Sequence, residues 1–265
     1  MSFFETGSIT APVSSWTFRG LDNYIRILKS KDFQQALWNM LKIWIIGGVI
    51  SIVVSFLYAV VLTTKIKGRH FFRCMVYMPN VINIIAMGNA WLFYVFNNDF
   101  GLLNTVIEFF GGDPIKWLGP NMKFWSMLIA TCFSTIGYYM LVFISGIERI
   151  PTDLLEAAKL DGATDKQSLT HIVLPLLKGC FKNVLTFWSI NAIQSFAWTQ
   201  VFTPLDTESS TIVPMKYMYE LLFGSLQGEG VDIGTGAAVA ALIAAIVQVV
   251  YFLIDKSLKT DDLEY

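Results

Sequence analysis

Residues 43–64 read IWIIGGVISIVVSFLYAVVLTT, with no charge anywhere in the run. A bilayer core takes about 20 apolar residues in helical form, so this stretch is long enough to cross one. Four further runs share the pattern: Cys74–Phe96, Phe124–Ile147, Asn183–Thr203 and Gly234–Ile254 carry no charged residue. Pro79, Asn80, Asn83 and Asn89 interrupt the second, and Asn191, Gln194 and Gln200 the fourth. Those two could be buried core helices, but five such runs in one chain of 265 residues favour spans. Composition agrees. Hydrophobic residues make up 54% and charged residues 15%, and mean hydropathy is +0.55, whereas an ordinary soluble domain is about 25% charged. The sequence predicts an all-α integral membrane protein with about five transmembrane helices. It excludes a soluble enzyme, a disordered chain and a disulfide scaffold. Net charge is −1, so no global field draws in nucleic acid. Cys74, Cys132 and Cys180 are widely spaced and form no metal-site pattern.

Basic residues set the orientation. The loop after the first span holds Lys65, Lys67, Arg69 and Arg73; loop 148–182 holds Arg149, Lys159, Lys166, Lys178 and Lys182; the tail holds Lys256 and Lys259. The opposite loops hold only Lys116, Lys123 and Lys216. The positive-inside rule then places loop 148–182 and the C-terminus in the cytoplasm. Three parts result: residues 1–36, extracytoplasmic or interfacial; residues 37–255, the transmembrane domain containing loop 148–182; and residues 256–265, a cytoplasmic tail. An outside N-terminus with no preceding span is unusual, and a first span absent from this chain is expected. Leu21, Tyr24, Ile25 and Leu28 follow helical spacing, which fits a helix at the membrane surface or a short cap outside it.

Small residues repeat every four positions at Gly47, Ser51, Ser55 and Ala59, and again at Ala237, Ala241 and Ala245. Such stripes let helices approach closely, within the bundle or against a second membrane subunit.

Loop 148–182 reads ERIPTDLLEAAKLDGATDKQSLTHIVLPLLKGCFK. Pro151 and Thr152 open a helix capped by Thr152 or Asp153, with Glu156 completing a capping-box-like pair. Leu154, Leu155, Ala158 and Ala157 form its apolar side. Gly162 ends it. Thr164 starts a second helix with Gln167 in its capping box, and Pro175 ends or kinks that helix. A helix, a glycine bend and a second helix at the membrane surface make a handle for something cytoplasmic.

Glu156-Ala157-Ala158, Gly162 and Ile172-Val173-Leu174-Pro175 resemble the "EAA loop", the signature of permease subunits of binding-protein-dependent ABC importers. Gly20-Leu21-Asp22-Asn23-Tyr24, Pro79, Ala90-Trp91-Leu92-Phe93 and Phe100-Gly101-Leu102-Leu103-Asn104 are similar to the carbohydrate-uptake, maltose-permease-like branch. The resemblance covers about residues 18–255. Where such permeases commonly carry Gly-Gly-Pro after the fourth span here, this chain has Thr203-Pro204-Leu205-Asp206. The family usually has six spans. The resemblance implies a second permease subunit, two cytoplasmic ATPase subunits that use ATP and Mg, and an extracytoplasmic solute-binding protein that delivers the sugar. It assigns ATPase coupling to Glu156, Ala157, Ala158, Gly162, Ile172, Leu174 and Pro175. The chain contains no GxxxxGK[ST] phosphate loop, so ATP hydrolysis is expected elsewhere.

No HExxH, no GxSxG and no carboxylate pair lies within a span, so no catalytic or metal site and no bound cofactor is expected. His70 and His171 read as ordinary polar surface residues. No span buries an ionisable group, as an ion-driven transporter usually would. Asn80, Asn83, Met87, Trp91 and Tyr94 are spaced to share one face of the second run, and Phe187, Asn191, Gln194 and Trp198 one face of the fourth. Asn83, Trp91, Asn191, Gln194 and Trp198 are the candidate substrate-pathway residues, since amides bond hydroxyls and aromatic rings stack on sugars. Helix-to-helix hydrogen bonding and an interfacial aromatic belt are the open alternatives for these side chains. The reading is an ABC importer permease for a sugar. An ABC permease for another solute, such as an amino acid, polyamine or phosphate, and a secondary transporter or channel remain as rivals; a membrane enzyme is weaker still.

Overall fold

A computed structural model describes residues 1–6, 10–64, 66–204, 208–224 and 231–258. Lys65, Leu205, Asp206, Lys259 and the rest of the tail lie outside the described residues. Two short strands, β1 (Phe4–Glu5) and β2 (Thr17–Phe18), pair antiparallel with Phe4 opposite Phe18. The helices follow as α1 (Asp22–Lys29), α2 (Lys31–Lys42), α3 (Gly48–Thr63), α4 (Arg69–Val81), α5 (Ile84–Ala90), α6 (Leu102–Phe109), α7 (Lys123–Glu148), α8 (Thr152–Leu160), α9 (Asp165–Ser168), α10 (Leu174–Leu176), α11 (Lys178–Ile193), α12 (Phe196–Phe202), α13 (Pro214–Phe223) and α14 (Ile233–Ser257). π-helical turns occupy Ile43–Gly47, Trp91–Val95 and Leu169–Val173. The helical membrane fold is the one predicted.

Two compact units form. The first comprises Met1–Gly47, Asn83–Thr131 and Ile190–Val249. Ser30 caps α2 by accepting the Phe33 N–H, and Phe33, Ala36, Met40 and Ile43 are buried at helical spacing. Buried Asn39 donates to the carbonyls of Ser209 and Ile212, both at 2.9 Å, which fixes the approach to α13. Asn104 ties a loop in the same way. Its Oδ1 accepts the Ile115 N–H and the Trp117 indole N–H, at 3.0 and 2.8 Å. On α1 the buried side is Asn23 and Ile27, whereas Leu21, Ile25 and Leu28 stand exposed. Asn23 donates to the Ser2 and Phe4 carbonyls, and Arg26 pairs with Asp232 at 2.7 Å. Leu21, Ile25 and Leu28 of the apolar stripe are therefore exposed opposite the side that holds the helix to the unit, whereas Tyr24 packs on Phe3.

The second unit comprises Gly48–Ile82, Cys132–Ser189 and Val250–Tyr265. Ser51, Ser55 and Ala59 are fully buried. Ser55 Oγ donates to the Ile136 carbonyl at 2.8 Å, and the Ser51 and Thr135 hydroxyls lie 3.4 Å apart. This small-residue stripe thus packs α3 on α7 within the chain, and each serine finds the partner that lipid cannot offer. A Cβ on Gly48 would stand 2.6 Å from Trp188 Nε1, which brings α3 against α11. The second stripe behaves differently: Ala241 and Ala245 are exposed in the chain, and Ala238, Val239 and Ile243 are buried in their place.

Among the described residues, three helical stretches are long and apolar enough to cross a membrane: Lys31–Thr63, Lys123–Glu148 and Ile233–Ser257. The second run is not one straight span. α4 and the stretch Ile84–Val95 meet at a bend of 101°. Pro79 lacks the N–H that a continuing helix needs, Ile82 is extended, and Asn83 caps α5 by accepting the Ile85 N–H at 2.9 Å. The fourth run is also divided, with α11 ending at Ile193 and α12 starting at Phe196. The Phe196 N–H turns back to the Gln194 carbonyl at 2.7 Å, and Ser195 stands at the N-cap of α12 without a side-chain cap bond. Among the described residues, three helices pass as spans by length and composition, or four if the bent pair is one span.

Candidate functional site

The helix–bend–helix of loop 148–182 is present. Pro151 is extended and hands the chain directly to α8, with no side-chain cap. The expected Thr152 or Asp153 cap is not made, because Asp153 already lies inside the first turn, where the helix dipole favours an acid. At the far end Gly162 has φ +85°. The Ala163 N–H bonds the Ala158 carbonyl at 2.9 Å and the Gly162 N–H bonds the Lys159 carbonyl at 3.1 Å. That is the Schellman arrangement, and it needs the left-handed conformation glycine adopts freely. Thr164 then opens α9 with a reciprocal capping box to Gln167. The helix does not stop at Leu174: α10 contains Pro175 and ends one residue after it. The π-turn before it closes from the Leu174 N–H to the Leu169 carbonyl, and Pro175 falls in the first turn of α10, where no N–H is required of it.

The loop is anchored beneath and open above. Leu155 and Leu169 pack on a core of Ile150, Val173 and Leu177, joined by Phe56 and Phe181. Glu156, Ala157, Gly162 and Pro175 are exposed; Ala158, Ile172 and Leu174 are half-buried. Leu160 is 89% exposed, a bare apolar side chain at the tip of α8. An open hollow of about 360 Å³ is lined by Asp161, Gly162, Ala163, Gln167, Ser168, His171 and Ile172. Ser168 is buried there with its hydroxyl unpartnered. Leu160 and Ser168 escaped the sequence reading. The signal for Leu160 was its place just before the helix-ending Asp161-Gly162, outside the stripe Leu154, Leu155, Ala158.

The five pathway candidates all belong to the first unit. α5 packs on α12, and Gly88 meets Val201 so closely that a Cβ there would stand 2.5 Å from a Val201 methyl. Asn83, Asn191 and Gln194 are exposed in the chain. Asn83 spends its side-chain oxygen on capping α5. Trp91 is half-buried at the start of a π-turn, its ring 5.0 Å from Phe96. Trp198 is 5% exposed and packs with Phe202. The two breaks end the shared faces expected over residues 80–94 and 187–198, because helical register does not carry across them. Asn80 falls on the other side of its break and donates to the Ser134 carbonyl at 3.3 Å. Ser195, at the second break, is buried with its hydroxyl unpartnered. Among the described residues no group of three or more His, Cys, Asp or Glu is placed to hold a metal ion.

A membrane-embedded helical component bearing an exposed helix–bend–helix loop is the class these features define. The chain belongs to the family of binding-protein-dependent transport system inner membrane components, whose family model matches residues 51–259. It is a membrane permease component rather than an enzyme. It is 30% identical over 187 residues to the trehalose/maltose transport system permease protein of Thermococcus litoralis, covering 70% of this chain and 63% of that protein. A probable starch degradation products transport system permease protein of Thermoanaerobacterium thermosulfurigenes is 31% identical over 252 residues, 94% of this chain and 82% of its own length. This chain thus spans less than two thirds of the first relative and about four fifths of the second. In fold, it is similar to a bacterial ABC transporter that imports the acidic polysaccharide alginate, with a TM-score of 0.80, 20% identity and coverage of 91% of this chain and 83% of that one.

Proposed function

We propose that this chain is the permease subunit of an ATP-driven importer that carries a sugar or oligosaccharide across the cytoplasmic membrane. A second permease subunit completes the pathway. Two ATPase subunits grip loop 148–182 from the cytoplasm, and an extracytoplasmic binding protein presents the sugar. The single observation that carries this reading is the exposed α8–Gly162–α9 hairpin, rooted in its own apolar core and ending in bare Leu160. A rigid root transmits displacement, and an exposed tip receives it. Nucleotide-driven closure of the ATPases moves the tip, and the spans above alternate access. The excess of basic residues in loop 148–182 supports a cytoplasmic hairpin and C-terminus. The sugar assignment is supported by relatives named for trehalose/maltose and for starch degradation products. The test is uptake of labelled maltose, trehalose and maltotriose into proteoliposomes holding the complete complex. Uptake dependent on both ATP and the binding protein is expected. ATP-dependent uptake of an amino acid or phosphate with none of any sugar would overturn the sugar reading.

A further inference from the structure

Arg73, on α4, ties together three helix ends. Its Nη2 donates to the Leu62 carbonyl in the last turn of α3, at 2.9 Å, and to Glu148 Oε1, the last residue of α7, at 2.7 Å. The Arg73 side chain is only 14% exposed, and its Nε is buried without a partner. Stability alone is a poor reason for this placement. A half-exposed ion pair returns little, a buried unpaired donor costs more, and an acid in the last turn of a helix opposes its dipole. The position of Glu148 supplies a better reason. α8 begins at Thr152, so Glu148 stands at the root of the coupling hairpin, next to Ile150 in the hairpin's core.

From Arg73, α4 runs along α7. A Cβ on Gly137 would collide with the Val76 carbonyl and the Tyr77 Cα, so the two backbones touch. Asn80 then bonds the Ser134 carbonyl. Two residues after Asn80 the helix breaks at Ile82. α4 is therefore fastened to α7 along its length, with the ion pair at the hairpin end and the chain break at the other.

We propose that Arg73 and Glu148 are positioning residues that make α4 move with the root of the coupling hairpin, delivering its displacement to the break at Ile82. The inference rests on the importer reading above. Ile82 is 42% exposed and suits a reporter thiol. In the full complex, with Cys74, Cys132 and Cys180 replaced by serine, Ile82→Cys is labelled with a maleimide in the nucleotide-free and vanadate-trapped states. A difference in labelling rate of roughly five-fold or more between the states is expected, the scale of ordinary site-to-site coupling. Glu148→Gln and Arg73→Gln should each abolish that difference while vanadate trapping and thermal stability persist. The exchanged pair Arg73→Glu with Glu148→Arg should restore it. Full retention of the difference in Glu148→Gln, the near-isosteric variant, overturns the proposal, as does an equal labelling rate in both states of the parent complex. Failure of the parent complex to trap nucleotide at all overturns the importer reading itself, a result separate from the other two.

Discussion

The Ala163 N–H reaches back past Gly162 to the Ala158 carbonyl, 2.9 Å away, and closes the hairpin's bend. A Cβ added at Gly162 would meet no atom within 4 Å, so its constraint is conformational and not one of space. Gly162→Val should therefore cost about 1–2 kcal/mol or more through left-handed strain alone. Gly162→Asn should cost much less, since asparagine tolerates that region. The expected outcome is a valine variant that inserts but neither retains the ATPase subunits on purification nor transports, with the asparagine variant close to wild type. Full transport by Gly162→Val would remove the bend from the mechanism.

Asn39 and Ile212 lie far apart in sequence, yet one buried amide satisfies the carbonyls of both Ser209 and Ile212. Asn39→Ala leaves the buried Ile212 carbonyl without this donor, at about 1–3 kcal/mol for a buried group left unpaired. Thermal unfolding in detergent should show the first unit weakened. Asn39→Asp should not rescue it, because a carboxylate cannot donate to carbonyls.

The contact between Gly137 and the Val76 backbone predicts a second stability effect of different origin. Gly137→Val forces bulk into the carbonyl of a packed helix and should destabilise by about 1–3 kcal/mol, the usual range for overpacking. Ser168→Ala serves as the contrast. Its hydroxyl is buried and unpartnered, so its removal should be neutral or slightly stabilising in the isolated chain. A loss of stability in Ser168→Ala comparable to that of Gly137→Val would contradict the packing described for the hairpin.

The membrane class was legible because a charge-free run of about 20 residues has few other uses in so short a chain. The hairpin was legible because Gly162, Thr164 and Gln167 act locally, each on backbone within a few residues. The breaks at Ile82 and Ser195 were not. A polar residue inside an apolar run looks the same whether it faces a pathway, joins two helices or caps a new one, and Asn83 proved to be a cap. Pro175 is a related case. Whether its missing N–H matters depends on the π-turn at Leu169–Val173, which no residue type in that stretch announces. The Arg73–Glu148 pair joins residues far apart in the chain, and the sequence offered Arg73 only as one of several loop cations.

Gln194 and Trp198 share one face by their spacing in the sequence, and the structure separates them physically. Gln194 is exposed at the break between α11 and α12, whereas Trp198 is 5% exposed and packed with Phe202. The two truncations should therefore differ in kind. Trp198→Ala empties a core site and should cost about 3–5 kcal/mol, lowering the thermal stability of the complex and slowing every solute together. Gln194→Ala removes no buried contact, so assembly and basal ATPase activity should stay intact. If the exposed amide meets sugar hydroxyls, uptake should fall by roughly ten-fold for a lost hydrogen bond of about 1.4 kcal/mol, and unevenly among maltose, trehalose and maltotriose. Competition assays among those three sugars in proteoliposomes provide the measurement. An unchanged order of preference in Gln194→Ala, together with lowered thermal stability, would assign the amide to helix packing and take it out of the pathway.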